Sequence, residues 1–243
     1  MDPQVYSRMA ANEDQHWWFV ARRKILTEVI ARRIAPTKDC QILEAGCGTG
    51  GNLAMLRQFG QLNAFELDDG ARDLAAKKSG IAVQSGRLPD RVPFDSESFD
   101  LVAMLDVLEH VDDDVGSLKA IAQSLKRDGR LLLTVPAYAF LWSAHDVSHH
   151  HRRRYNRRQL VSVARAAGLE PLYVSHFNSW LFPLVAVVRL LKKLLVRSES
   201  ADDGMPPTIL NKLLRMVFAS ERLVVPRWPL PFGVSLMLVA RRA

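Results

Sequence analysis

Residues 42–53 constrain the fold more than any other stretch: Ile42-Leu43-Glu44-Ala45-Gly46-Cys47-Gly48-Thr49-Gly50-Gly51-Asn52-Leu53. A short apolar run leads into alternating glycines, and a helix-compatible run follows. Glycines at 46, 48 and 50 let the backbone turn sharply and bring the main chain close to a ligand. The first N–H groups of the following helix lack intrahelical partners and face that ligand. The spacing is a near miss to the dinucleotide fingerprint G-x-G-x-x-G, because the glycines alternate and an acidic residue, Glu44, precedes them.

The rest of the chain supplies the context. Strands are expected near 41–45, 61–66, 81–84, 99–105, 130–135, 170–176 and 234–240, with helices near 51–59, 70–79, 114–126 and 157–167. Asp128-Gly129 is expected to end a helix before the apolar run Arg130 to Val135, and Ala167-Gly168 to end the next. Such alternation predicts an α/β, doubly wound, Rossmann-like sheet of parallel strands. The organisation expected is an N-terminal helical cap over 1–38, a core over 39–176, a helical insertion over 177–230, and a final strand over 231–243.

Composition narrows the function classes. In 243 residues, 48% hydrophobic content suffices for one sizeable core. Two cysteines, Cys40 and Cys47, flank one tight turn and make a disulfide framework unexpected; a reducing, cytoplasmic setting fits. No apolar signal region opens the chain, and no apolar run reaches the ~18 residues of a spanning helix. A net charge of +7 favours acidic partners. Two basic groups carry much of it, Arg22 to Arg33 and Arg152 to Arg158. Segment 179–225 sets Trp180, Leu181, Leu184, Val188, Leu191 and Leu195 beside Arg189, Lys192, Lys193 and Arg197. It reads either as a cap on the active site or as an amphipathic helix on an anionic membrane surface, peripheral on its inner face.

Several motifs in order carry a resemblance. They are Glu44 to Gly50, Ala64-Phe65-Glu66-Leu67-Asp68, Pro93 to Val102, Leu105-Asp106-Val107-Leu108-Glu109-His110-Val111, and Leu125 to Leu131. Over roughly residues 40–175 this set resembles the class I S-adenosylmethionine-dependent methyltransferases, of the ubiquinone/menaquinone-biosynthesis, small-molecule type. The resemblance implies a seven-stranded sheet with its last strand antiparallel, and a cofactor site at Glu44, Ala45, Gly46, Cys47, Gly48, Gly50, Asn52, Glu66, Leu67, Arg87, Leu88 and Leu105. Glu66 would accept from the ribose hydroxyls. One departure is that Ser85-Gly86-Arg87-Leu88 lacks the carboxylate that often holds the adenine amino group. Adenine would then rest on the backbone of Arg87 and Leu88 and against Leu67.

The chemistry expected is displacement at a sulfonium methyl, to which alignment of the reacting atoms contributes several kcal/mol. A hydroxyl nucleophile also needs a base. His110 is one candidate; its alternative is a structural role at a helix start. His145 or His149, oriented by Asp146 in the loop after the fifth core strand, is another. The three adjacent histidines, His149 to His151, suit a metal or a solvated loop equally. Asp106, Glu109 and His110 resemble the E-x-x-E-H stretch of the ubiquinone O-methyltransferases and form a minority candidate for a divalent cation. Substrate contacts are assigned to Trp18, Arg22, Tyr138, Trp142, Arg152 and Tyr155, with Arg152 to Arg154 as an anion holder and Trp17-Trp18-Phe19 as an anchor or lid. The reading is methyl transfer, by O-methylation, to a small or lipid-linked acceptor. An RNA methyltransferase is the first rival, but a Pro-Pro-Tyr/Phe motif after the fourth strand is missing. A non-catalytic membrane-associated protein is the second.

Overall fold

The computed structural model describes residues 3–194 and 204–243. Helix α1 (Pro3–Asn12) and helix α2 (Trp17–Val29) open the chain. His16 caps α2 by accepting from the Trp18 N–H, and a π-helical turn, Ile30–Ile34, ends it where Ala35 turns left-handed. Strand β1 (Gln41–Ala45), a short helix α3 (Leu53–Leu56), β2 (Gln61–Glu66), α4 (Asp69–Ser79) and β3 (Val83–Ser85) form the first half of the sheet. Then come β4 (Phe99–Leu105), α5 (Asp114–Ser124), β5 (Leu125–Pro136), a short α6 (Ala144–Ser148), α7 (Arg157–Ala166) and β6 (Leu169–Phe177). Helices α8 (Phe182–Leu194) and α9 (Thr208–Ser220) precede β7 (Ser235–Arg242). Leu195 and Arg197, expected to belong to the apolar-basic segment, lie outside the described residues, as do the side chains of Lys192 and Lys193.

The seven strands lie in the order β3-β2-β1-β4-β5-β7-β6. Pairings among β1 to β5 are parallel, and β7 runs antiparallel between β5 and β6. The sheet is doubly wound as expected, with the last strand reversed. Strand β4 shows why its run is apolar throughout. Leu101 and Ala103 pack with Ile25, Leu26 and Phe218 on one face, while Val102 and Met104 pack with Leu118, Ile121 and Leu160 on the other. Successive side chains point to opposite faces, and both faces are covered.

Three local expectations are corrected. The helix expected over 51–59 is one turn plus a 3-10 turn, Arg57–Phe59, because Gly60 must sit against the Cys40 carbonyl. The helix expected to run to 126 stops at Ser124. Leu125, wholly buried and paired with Phe99, turns the chain extended, so Asp128-Gly129 lies within β5 rather than at a helix end. The strand expected over 81–84 starts later, at Val83, where pairing with Ala64 begins. Gly168, left-handed at φ +77°, does end α7 as expected.

Candidate functional site

The glycine turn follows directly from β1. Gly46, Gly48 and Gly50 take φ of +71°, +54° and +86°, which side-chain-bearing residues rarely adopt. The turn is tied to the end of β2. Gly46 and Cys47 donate to the Phe65 carbonyl, and Gly48 N–H donates to Glu66 Oε2 at 2.8 Å. Glu66 Oε1 accepts from Leu67 and Asp68 N–H at 2.8 and 3.0 Å. A Cβ on Gly46 would meet Val107 at 2.9 Å, whereas one on Gly48 would meet no protein atom within 4 Å. The space over Gly48 is therefore open, and the loop presents backbone to it.

Helix α1 folds over this loop, which no sequence pattern announced. Glu13, buried, accepts from Thr49 Oγ1 at 2.9 Å and pairs with Lys78 at 2.8 Å. Its carboxylate sits where a side chain on Gly51 would fall. Tyr6 lies near Glu66 and Asp68, and burial first, then those carboxylates, push its phenol up. Burial, with Glu44 and Glu66 nearby, also raises the Cys47 thiol, which disfavours the thiolate.

A cavity of about 740 Å³ opens from this loop. Of the residues expected to hold a cofactor, Gly46, Cys47, Gly48 and Asn52 line it from β1 and its turn, and Glu66, Leu67, Arg87, Leu88 and Leu105 from later strand ends. Glu44, Ala45 and Gly50 stand behind that wall. Glu44 is 1% exposed, accepts from Asn52 Nδ2 at 2.9 Å, and has its second oxygen without a hydrogen bond. Burial pushes its carboxyl up to about 8, against the Asn52 donor.

The far end of the cavity is built by α2, the turn after β4, α6 and α8. Trp18, Arg22 and Arg152 line it; Tyr138, Trp142 and Tyr155, expected at the substrate, do not. Tyr155 is buried in the core and donates to Asp114 at 2.9 Å. Tyr138 stacks on His176, 5.3 Å between ring centroids. Arg22 is nearly inaccessible. It pairs with Asp106 at 2.8 Å, donates to Thr134 at 2.9 Å, and lies 5.0 Å over the Trp18 ring. The basic run is engaged within the protein rather than collected around an anion. Arg152 pairs with Asp112, Arg153 with Asp114, and Arg154 with Asp146.

The histidines need a further correction. Asp146 holds His151, at 2.8 Å, and Arg154 at 2.7 and 2.9 Å; it was expected to orient His145 or His149. Those contacts keep the Asp146 carboxyl well below the usual range despite burial. His150 turns left-handed at φ +56°, which returns the chain so that His151 reaches Asp146. His110, His145 and His149 line the cavity together with His150 and His151, which the sequence offered only as part of the run of three adjacent histidines. Burial first, then His151 and His149, push the His110 imidazole down to about 3, which favours its alternative, structural reading over that of a base. The cation set Asp106–Glu109–His110 is not gathered either. Asp106 is spent on Arg22 and Thr134, and the donors that close on Glu109 and His110 come from His151.

Open space over a left-handed glycine, a carboxylate at the next strand end and an aliphatic residue, Leu67, standing 61% exposed at the rim fit a nucleoside cofactor carrying a small charged tail. Comparison with known proteins agrees. Residues 16–174 match the sequence model of a methyltransferase-domain family. An uncharacterized methyltransferase of Staphylococcus carnosus is 30% identical over 50% of this chain and 57% of its own length. A ubiquinone biosynthesis O-methyltransferase of Idiomarina loihiensis is 29% identical over 56% of this chain and 63% of its own. The chain thus spans under two thirds of the length of these curated relatives. Among solved structures, an S-adenosylmethionine-dependent methyltransferase of Thermotoga maritima superposes with a TM-score of 0.61 at 18% identity, over 98% of this chain and 99% of that one, which shows the shared fold. The chain belongs to the methyltransferase-domain family, of the class I type that uses S-adenosylmethionine.

Proposed function

We propose that this protein methylates an oxygen atom of a small or lipid-linked acceptor. The observation that carries this reading is one cavity with two unlike ends. The glycine turn and Glu66 line one end; the other joins His145, His149 and His151 to an apolar wall of Leu181, just before α8, with Leu184, Val185 and Val188 from α8 and Leu214 from α9. When bound, S-adenosylmethionine supplies an electrophilic methyl on sulfur. The residues that would hold it are Gly46, Gly48, Asn52, Glu66, Leu67, Arg87 and Leu88. Glu66 already organises the Gly48 and Leu67 N–H groups, so its carboxylate is positioned before any ligand arrives. The α8 wall takes apolar acceptor and excludes water, and the histidine cluster receives the hydroxyl that must lose its proton.

The ubiquinone O-methyltransferase relatives support an oxygen acceptor. The exposed outer face of α8 and α9 supports a lipid-linked one and peripheral contact with an anionic membrane. The test supplies methyl-labelled S-adenosylmethionine with a bacterial membrane lipid extract, and separately with total RNA. Label is expected in the lipid phase. Calorimetry should show Gly48→Val and Glu66→Ala weakening S-adenosylhomocysteine binding, the latter by about 1–3 kcal/mol. His145→Ala/His149→Ala should keep that affinity and lose lipid turnover. Label in RNA alone, or unchanged affinity in both cofactor-site variants, overturns the reading.

A further inference from the structure

We infer that His145, His149 and His151 form a binding site for one transition-metal ion, of the Zn²⁺ or Co²⁺ class, at the acceptor end of the cavity. His145 on α6 and His149, the residue that caps its C-terminal end, are four residues apart, with ring centroids 4.1 Å apart. The left-handed His150 brings His151 back onto the same spot, with centroids 5.8 and 5.9 Å from the other two. One ligand atom of each histidine lies within 4.8 Å of the others. A general base needs a single imidazole; three converging imidazoles are the donor set of a nitrogen-ligated metal.

Two further observations point the same way. Asp146 accepts from His151 Nδ1 at 2.8 Å and is itself gripped by Arg154. An ionised carboxylate only accepts, so Nδ1 carries the proton and Nε2 is left for a metal. This carboxylate–histidine arrangement is the usual support for a metal-binding imidazole. Beside it, Glu109 is fully buried, neither of its carboxylate oxygens has a hydrogen-bond partner, and a donor atom lies within 4.8 Å of His110 and His151.

Three protein ligands leave a coordination position open toward the cavity. An acceptor hydroxyl taken there loses its proton more readily, by Lewis-acid polarisation. That use rests on the methyl-transfer reading above; the ion site rests on the donor geometry alone.

The test uses the full chain stripped of metal by chelation and titrated with Co²⁺ alone, read by visible absorption, and with Zn²⁺ alone, read by calorimetry. One ion per chain is expected, with the intense visible bands of low-coordinate Co²⁺. His145→Ala and His149→Ala should each weaken binding about tenfold or more, and Asp146→Asn by about 10–100-fold. His150→Asn, which removes an imidazole outside the donor set and keeps the left-handed backbone, should leave it unchanged. Circular dichroism and S-adenosylhomocysteine affinity, measured on the same variants, report folding separately. Absence of the Co²⁺ bands in the folded wild-type chain, or equal Zn²⁺ affinity in folded His145→Ala/His149→Ala, overturns the inference. Metal binding without lipid methylation would sustain the ion site and overturn the acceptor reading. Lipid methylation by a chain that binds no metal would do the reverse.

Discussion

Glu44 illustrates what burial does to a single side chain. The acidic residue before a glycine turn was legible in the sequence; that it sits behind the cavity wall, with a carboxyl raised to about 8, was not. Its neighbours come from four separate segments, Asn52, Arg22, Glu13 and Glu66, and no spacing rule joins the first three. The folded state binds this proton more tightly than the unfolded chain, whose ordinary value is 4.5. Its contribution to stability is therefore fully present below pH 4.5 and is lost as pH rises toward 8. In ligand-free protein, the unfolding free energy from urea titration should fall across that window by up to ~1.4 kcal/mol per pH unit, and Glu44→Gln should flatten the slope. An identical slope in the variant would assign the pH dependence to other groups. Asp146 makes the same point for the histidines. Its presence in the loop was readable, but the ring it holds depended on the left-handed turn at His150.

At the scale of elements, the N-terminal helices do more than the sequence suggested. Helix α2 was expected within a cap, and its Ala21, Ile25, Leu26 and Val29 are wholly buried on the sheet with Phe218 of α9. The same helix carries Trp18 and Arg22 to the cavity, because the two roles fall on adjacent strips of one cylinder. Helices α8 and α9 are joined to the sheet by a buried acid, Glu221, just after α9. It accepts from the N–H groups of Asn178, Ser179 and Trp180 at 2.7, 2.6 and 2.9 Å. Burial pushes its carboxyl up to about 7 while those three donors oppose the rise. Glu221→Ala leaves buried N–H groups without partners, and chemical denaturation should show a loss of about 2–4 kcal/mol. A loss under about 0.5 kcal/mol would mean that water replaces the carboxylate without cost.

Over the whole molecule, apolar surface is distributed unevenly. Val187, Leu190 and Leu191 on α8, with Ile209, Leu213 and Met216 on α9, are all exposed, Ile209 at 84%. They lie on the side of the cavity whose inner wall is also apolar, and Lys212 stands exposed among them. Exposed apolar residues on both helices of a chain of net charge +7 are the basis for the proposed contact with an anionic lipid surface. No helix among the described residues is long and apolar enough to cross a membrane. Flotation with anionic vesicles should carry the protein upward, less so at high salt. Ile209→Ser/Leu213→Ser/Met216→Ser should leave it at the bottom while preserving S-adenosylhomocysteine affinity. Wild-type protein that stays at the bottom at low salt would reduce α8 and α9 to a cap over the active site.

The sequence by itself determined the strand and helix alternation, the glycine turn and the acid at the end of β2. These depend on short-range periodicity and on backbone freedom at single residues. The tertiary structure decided which residues share the cavity. Tyr155, beside a run of arginines, was drawn into the core by Asp114, and Asp106 was drawn from a cation set to Arg22, 84 positions earlier in the chain. Glu13 reached the glycine turn only because α1 folds back over it. Contacts between residues far apart in the chain follow from how sheet and helices pack, and a linear pattern carries no record of that packing.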